Sequence, residues 1–247
     1  MGAPRFFVHD RLALPSVGSE VALPDNVAHH ALRVLRLAVG DSITLFTGDG
    51  GEYAATLTRA GKRDGCVRID AFDPRERESS LAVTLVQAIV ASDAMDAIVR
   101  RSVELGVAAL QPVVTSRGAR FPSGAQGDKR LAHWRQIAVA ACEQCGRNRV
   151  PPVHEAVVLD AWLAARPTGR AGIVLDPDAA SAFASLQPPA DALDLLVGSE
   201  GGLVPEEVGR ASRAGLQGAR LGPRILRADT ASLAALSAIN LLWGDFK

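Results

Sequence analysis

Leu193-Asp194-Leu195-Leu196-Val197-Gly198-Ser199-Glu200-Gly201-Gly202-Leu203-Val204-Pro205-Glu206-Glu207 is the stretch whose reading decides the fold. Leu193 to Val197 is a short apolar strand. Three glycines follow it, and glycine lets the backbone turn tightly and lets a ligand approach closely. Pro205 suits the first position of a helix, where its missing N–H costs nothing, and Glu206 and Glu207 suit the first turn beside the positive end of the helix dipole. Strand, glycine turn and helix in succession make one step of an α/β alternation. In such sheets ligands lie beyond the carboxyl ends of the strands. The turn is neither GxGxxG nor a P-loop with its Lys-Ser/Thr, so a phosphate cradle is not indicated. Acidic residues at its mouth also argue against a pyrophosphate. From spacing alone, a plain strand-to-helix connection accounts for the turn equally well.

The same alternation extends in both directions. Leu81 to Ile89 reads as a strand apolar on both faces, as buried parallel strands are. Ser92 is placed to cap a helix through Met95, Ile98, Val99 and Val103, with Gly106 as its left-handed stop. Ala109 to Val114 and Ile173 to Leu175 are further strands, and a helix over 128–145 carries Leu131, Trp134, Ala138, Ala141 and Cys145 on one stripe. Leu221-Gly222-Pro223-Arg224-Ile225-Leu226-Arg227-Ala228-Asp229-Thr230-Ala231 forms a second turn, with Asp229 or Thr230 as cap of a final helix over 229–246. That helix is apolar around most of its circumference, so it needs cover on more than one side, and a partner subunit is one source. Arg224 and Arg227 flank the turn. Two guanidinium groups there can orient an anionic or carbonyl-rich substrate, although ordinary surface charge explains them as well. The pattern implies an α/β fold with a largely parallel sheet.

Upstream the pattern is mostly β. Strands are expected at Arg5–Val8, Ile43–Phe46, Tyr53–Leu57 and Cys66–Phe72. Thr47-Gly48-Asp49-Gly50-Gly51-Glu52 is a hairpin turn, and one helical piece starts at Pro24-Asp25 with Val27, Leu32 and Leu35 at helical spacing. Short strands with one helix point to a small barrel. Asp73 to Ser80 is charged, contains Pro and lacks a large apolar residue, so it reads as a linker. The expected division is 1–74 and 75–247.

The 247 residues include 48% apolar and 22% charged side chains, ordinary for a globular chain able to bury a core. Basic and acidic residues balance at 27 each, which excludes a uniformly basic coat. Charge is nevertheless uneven. Residues 100–150 hold nine Lys and Arg against three acids, and Arg5, Arg33 and Arg36 form a second group. Phosphate contacts need this kind of clustering, though solvated helix faces also produce it. Three cysteines argue against a disulfide framework. No signal peptide and no bilayer-length apolar run is visible, so no membrane association and a cytoplasmic location are expected. Cys142-Glu143-Gln144-Cys145 falls within a helical stripe and has no second ligand pair, and His29-His30 has no partner at metal spacing, so no metal is expected. There is no GxSxG elbow for serine hydrolysis.

Taken together, these residues resemble a known family, the RsmE-type 16S rRNA (uracil-N3) methyltransferases of the SPOUT superfamily. The resemblance runs over nearly the whole chain. It is carried by His30 to Tyr53 with Val34-Leu35-Arg36-Leu37, Val39-Gly40-Asp41 and Gly50-Gly51-Glu52-Tyr53. It continues through Glu104-Leu105-Gly106-Val107, Gln111-Pro112, Ser116-Arg117, and Trp134 through Glu143-Gln144 to Arg147 and Val150-Pro151. The glycine turn and Leu221 to Arg227 are its most specific parts. The family usually has Pro where this chain has Ser199, and Glu where it has Asp229.

The resemblance implies a trefoil-knotted SPOUT α/β domain preceded by a small PUA-like β-barrel that binds RNA. It also implies S-adenosylmethionine as cofactor, a homodimer, and 16S rRNA of the small ribosomal subunit as partner. Cofactor contacts are then expected at Leu175, Gly198, Glu200, Gly202, Leu221, Ile225, Leu226, Thr230 and Ala231. RNA contacts are expected at Arg5, Arg33, Arg36, Arg117 and Arg147. Arg227 and then Arg224 are candidates to stabilise an anion on the target base, and Asp229 or Glu200 to take its proton. Two other classes stay open at this point. A non-catalytic RNA-binding protein of the same fold would take up no S-adenosylmethionine in calorimetry. A nicotinamide dehydrogenase is disfavoured by the missing GxGxxG.

Overall fold

A computed structural model describes residues 2–8, 16–61 and 64–246. The chain divides into two compact units, Met1–Arg77 with Cys142–Val150, and Glu78–Ala141 with Pro151–Lys247.

In the first unit, strands β1 (Arg5–Phe7), β2 (Glu20–Ala22), β3 (Ser42–Phe46), β4 (Glu52–Ala60) and β5 (Gly65–Asp73) form one sheet in the order β1-β3-β4-β5-β2. Strand β2 lies where the sequence pattern predicts no element. A short helix α1 (Asp25–His29) runs into a π-helical turn at His30–Val34. Alternate residues of β4 point inward, so Tyr53, Ala55 and Leu57 join Phe6, Ile43, Leu45, Val67, Ile69, Val27 and Ala31 in one core. Residues 73–77 of the expected linker belong to this unit. Arg77 donates to Glu52 at 3.1 Å and to the Gly146 carbonyl at 2.8 Å, while Asn148 donates to the Arg75 carbonyl at 2.8 Å. These bonds explain why 142–150 groups with residues far away in sequence, which chain continuity alone does not reveal.

Glu52 also accepts from Arg5 at 2.5 Å. Burial alone would raise its pKa, but hydrogen bonds from Arg5, Arg77 and Asn148 outweigh burial and hold it below the ordinary 4.5. A lowered carboxylate pKa stabilises the fold above the unfolded value, and that contribution is lost as pH falls through the folded value. Glu52→Gln is therefore expected to be less stable than the parent at pH 7, with the two denaturation curves converging as the pH drops below 4.5. A gap that stayed constant with pH would mean that the ionised form contributes nothing.

The second unit contains β6 (Ala82–Ala88), α2 (Ser92–Glu104), β7 (Ala109–Val114), most of α3 (Ala125–Cys145), β8 (Val157–Val158), α4 (Leu159–Ala165), β9 (Ala171–Leu175), β10 (Ala192–Val197), α5 (Pro205–Arg213), β11 (Gln217–Ala219) and α6 (Ala228–Leu242). Its sheet has the order β11-β9-β10-β6-β7-β8, and every pairing in it is parallel. Strands β6 and β10 lie at its centre and are buried on both faces, as their apolar runs require. Val86, Ala88, Val113, Val174 and Leu196 pack with Leu159, Leu163 and Ala211 of the helices.

Two capping expectations are corrected. Helix α2 is capped at Ala91 rather than Ser92, because Glu200 from a distant turn accepts the Ala91 N–H at 3.1 Å. The Ser92 hydroxyl instead accepts from Arg130. Helix α6 starts at Ala228 with Arg227 at the cap, so Asp229 and Thr230 already lie inside its first turn. Among the described residues, no helix is long and apolar enough to cross a membrane.

Candidate functional site

The carboxyl ends of β9 and β10 open onto a cleft of about 300 Å³. Four segments of the second unit line it: Leu175–Asp178 after β9, Val197–Leu203 after β10, Leu221–Leu226, and Ala228 with Ala231 at the start of α6. Arg117, Val208 and Ala219 complete the wall.

The glycine turn has its shape for local reasons. Gly202 donates its N–H to the Ser199 carbonyl at 2.9 Å and adopts φ +70°, which an L side chain rarely tolerates. A Cβ on Gly198 would lie 3.1 Å from both Gly202 C and Leu203 N, so the turn folds back on itself where no side chain fits. Ser199 is buried and donates to the Arg117 carbonyl at 3.0 Å, and Arg117 Nη1 donates to the Gly201 carbonyl at 3.1 Å. Below the turn, the buried carboxylate of Glu207 accepts from Val204 N at 2.9 Å, Ser116 N at 2.8 Å and Ser116 Oγ at 3.0 Å. That carboxylate fastens the start of α5 to the 116–117 loop. It occupies the helix N-terminus that would otherwise take an anion.

The electrostatics of the cleft are mixed. Asp176, Asp178 and Glu200 stand along it with Arg117 and Arg224. Leu175, Val197, Leu203, Leu221 and Leu226 give apolar surface, and Ile225 is 86% exposed. Backbone polar groups, aliphatic walls and charges of both signs suit a nucleoside carrying a zwitterionic tail, with no phosphate to neutralise.

The structure brings together Leu175, Gly198, Glu200, Gly202, Leu221, Ile225, Leu226, Ala231 and Arg224. Thr230, Arg227 and Asp229 are not part of the cleft wall. Arg227 and Thr230 are exposed, and Asp229 is half-buried with Oδ1 accepting from Thr230 N at 2.8 Å. No hydrogen bond or ion pair to a described residue holds the guanidinium of Arg224 or Arg227. Of the expected RNA contacts, Arg33 and Arg36 are exposed in the first unit, where Arg36 has φ +56°.

Two others are held within the first unit. Arg5 is committed to Glu52, to Asn148 Oδ1 at 2.6 Å and to the Phe46 ring, and Arg147 is only 4% exposed. Clustering of Arg in the sequence does not distinguish a guanidinium built into the fold from one facing solvent. Arg117 belongs to the cleft wall. Gln87 and Ser232 carry no local motif that marks them as part of the site. The available signal was a lone amide in the apolar run 81–90.

A family model described as an RNA methyltransferase domain matches residues 77–240, and one described as an RNA methyltransferase PUA domain matches 23–70. The ribosomal RNA small subunit methyltransferase E of Bacillus subtilis (strain 168) is 31% identical, over 88% of this chain and 90% of its own length. Its counterpart in Buchnera aphidicola subsp. Acyrthosiphon pisum (strain APS) is 28% identical over 99% of this chain and 95% of its own. Among solved structures, the ribosomal RNA small subunit methyltransferase E from Neisseria gonorrhoeae bound to S-adenosyl methionine matches with a TM-score of 0.92. It is 40% identical, with 100% of both chains covered.

Proposed function

This chain belongs to the RNA methyltransferase family, in its ribosomal RNA small subunit methyltransferase E branch, and from that membership we propose that it methylates N3 of a uridine in 16S rRNA. It is an S-adenosylmethionine-dependent rRNA methyltransferase. The observation that carries the reading is the meeting of three turns, 175–178, 197–203 and 221–226, in one cleft without a phosphate cradle. The residues fit the cofactor. The volume lies at the lower end of the roughly 300–1,000 Å³ usual for small-molecule sites. Aliphatic walls from Leu175, Leu221 and Leu226 suit an adenine ring, and Asp176, Asp178, Arg117 and Arg224 suit the two charges of a methionine tail.

S-adenosylmethionine, when bound, supplies an electrophilic methyl group on sulfur. The protein then has to position a base, stabilise charge and accept a proton. N3 of uracil is weakly acidic, and its deprotonated form spreads negative charge onto O2 and O4. Arg227 and Arg224 carry guanidiniums that no described residue holds, so they are free to meet that charge. Asp229 Oδ1 accepts from Thr230 N and Glu200 Oε1 from Ala91 N, so either carboxylate keeps a second oxygen for the departing proton.

The reading includes a division of labour, with 1–74 as a PUA-like barrel gripping RNA and 75–247 as a trefoil-knotted catalytic domain. Exposed Arg33 and Arg36 support the first part. The convergence of 221–226 and the turns after β9 and β10 on one cleft supports the second. A homodimer and a cytoplasmic setting complete it. Leu241 and Leu242, exposed at the end of α6, and exposed Phe246 beyond it supply apolar surface for the dimer.

Mass spectrometry of 16S rRNA nucleosides from a deletion strain tests the assignment. Loss of N3-methyluridine is expected, and its persistence would overturn the target. Gly198→Ala tests the cleft. The added Cβ meets the backbone of Gly202 and Leu203, so the turn must open by a few tenths of an ångström. Calorimetry is expected to show S-adenosylmethionine affinity at least about tenfold weaker. Unchanged affinity would move the binding site elsewhere.

A further inference from the structure

The second half of strand β6, from Leu85 to Ala88, is buried, and its one polar side chain is Gln87, itself fully buried. Buried amides are almost always hydrogen-bonded, and the identity of the partners is informative. Gln87 Nε2 lies 3.3 Å from the Gly198 carbonyl and 3.0 Å from the Ala88 carbonyl, and donates to both. Its Oε1 accepts from Ser232 Oγ at 2.5 Å. Ser232 is also fully buried and sits one turn into α6, with Oγ 2.9 Å from the Ala228 carbonyl. One side chain thus joins the first residue of the glycine turn to the helix that opens with Ala228 and Ala231, the other side of the cleft.

We propose that Gln87 is a positioning residue for methyl transfer, holding the glycine turn and the start of α6 at the separation the cofactor requires. This rests on the methyltransferase reading. Register explains why position 87 does it: Gln87 pairs with Val197, the residue before Gly198, so its side chain lies behind the turn. The residue type follows from the partners. A carbonyl needs a donor and a hydroxyl needs an acceptor, and an amide offers both while remaining uncharged. The segment just after β6 grips the same turn again, because Ala91 N–H donates to Glu200. The turn is therefore held at both Gly198 and Glu200 by residues 87–91, and Ser232 extends the tie to α6.

Gln87→Met keeps length and burial and removes all three hydrogen bonds, to Gly198, Ala88 and Ser232. Ser232→Ala is the milder second variant, leaving Gln87 on Gly198 and removing only its link to α6. Three readouts separate positioning from core packing. In cofactor-free protein, amide hydrogen exchange over 199–203 is expected to speed up about tenfold in Gln87→Met, while β9 and β10 keep parental protection. By calorimetry, S-adenosylmethionine is expected to bind about tenfold more weakly. At saturating cofactor kcat is expected to stay within about threefold, so the loss falls on the cofactor KM. Ser232→Ala is expected to shift each in the same direction by less.

Parental exchange and affinity in both variants would overturn the proposal. So would faster exchange throughout the sheet with a matching fall in Tm, which is the mark of a merely structural residue. If the parent itself takes up no S-adenosylmethionine, the methyltransferase reading fails, while the exchange comparison still judges Gln87.

Discussion

Arg227→Ala is expected to reduce turnover by about 10²–10³-fold, the usual cost of deleting one preorganised donor to a developing anion. Cofactor affinity should stay within a few-fold of the parent. The separation follows from where Arg227 sits. Its backbone caps α6, with its carbonyl accepting Ala231 N–H at 2.7 Å, so the main chain stays in place when the side chain is removed. Its guanidinium is exposed, outside the cleft wall and without a partner among the described residues, so no internal bond is lost. Arg224→Ala is the comparison, because Arg224 does line the cleft. It is expected to weaken cofactor binding as well as turnover. Single-turnover kinetics on an rRNA fragment, with calorimetry on both variants, checks the split. Parallel loss of affinity and turnover in Arg227→Ala would reassign that residue to holding the cofactor.

The largest stability effect is expected at Asp194, in the central strand β10. Its carboxylate accepts from Arg166 Nε at 2.8 Å and Arg170 Nε at 2.7 Å, and the Arg166 and Asp194 side chains are only 3% and 5% exposed. Arg166 reaches on to the Ala214 carbonyl at 2.9 Å, and Arg170 to Thr84 Oγ1 at 3.1 Å. Asp194→Ala leaves a buried guanidinium without its counter-charge. Removing one partner of such a pair costs about 3–5 kcal/mol, because the stranded charge is worse than the missing attraction. Urea denaturation should show a lower midpoint at an unchanged slope. A loss below about 1 kcal/mol would mean that the pair behaves like an exposed one.

Asp194 and Gln87 also mark where the sequence stopped being informative. Both are polar residues inside apolar strands, and that pattern is visible in the chain. Their meaning depends on Arg166, Arg170, Gly198 and Ser232, which come from other elements. No local rule pairs residues 87 and 232. The same limit explains the caps. Ser92 has the right chemistry to cap α2, but a carboxylate delivered from residue 200 takes the position. It explains the basic residues too. Arg5 and Arg147 look like phosphate ligands in a charge count, yet one is paired and the other buried in the first unit.

The sequence by itself determined the alternation of strand and helix after residue 80, because periodicity and turn chemistry are local. The glycine turn and the Leu-Arg turn, with the family they resemble, also pointed to the kind of ligand. Tertiary structure alone decided which arginines face solvent, what caps α2, and which buried side chain ties the glycine turn to α6. Each of those depends on hydrogen bonds between residues dozens to more than a hundred positions apart, and only the folded backbone sets such distances.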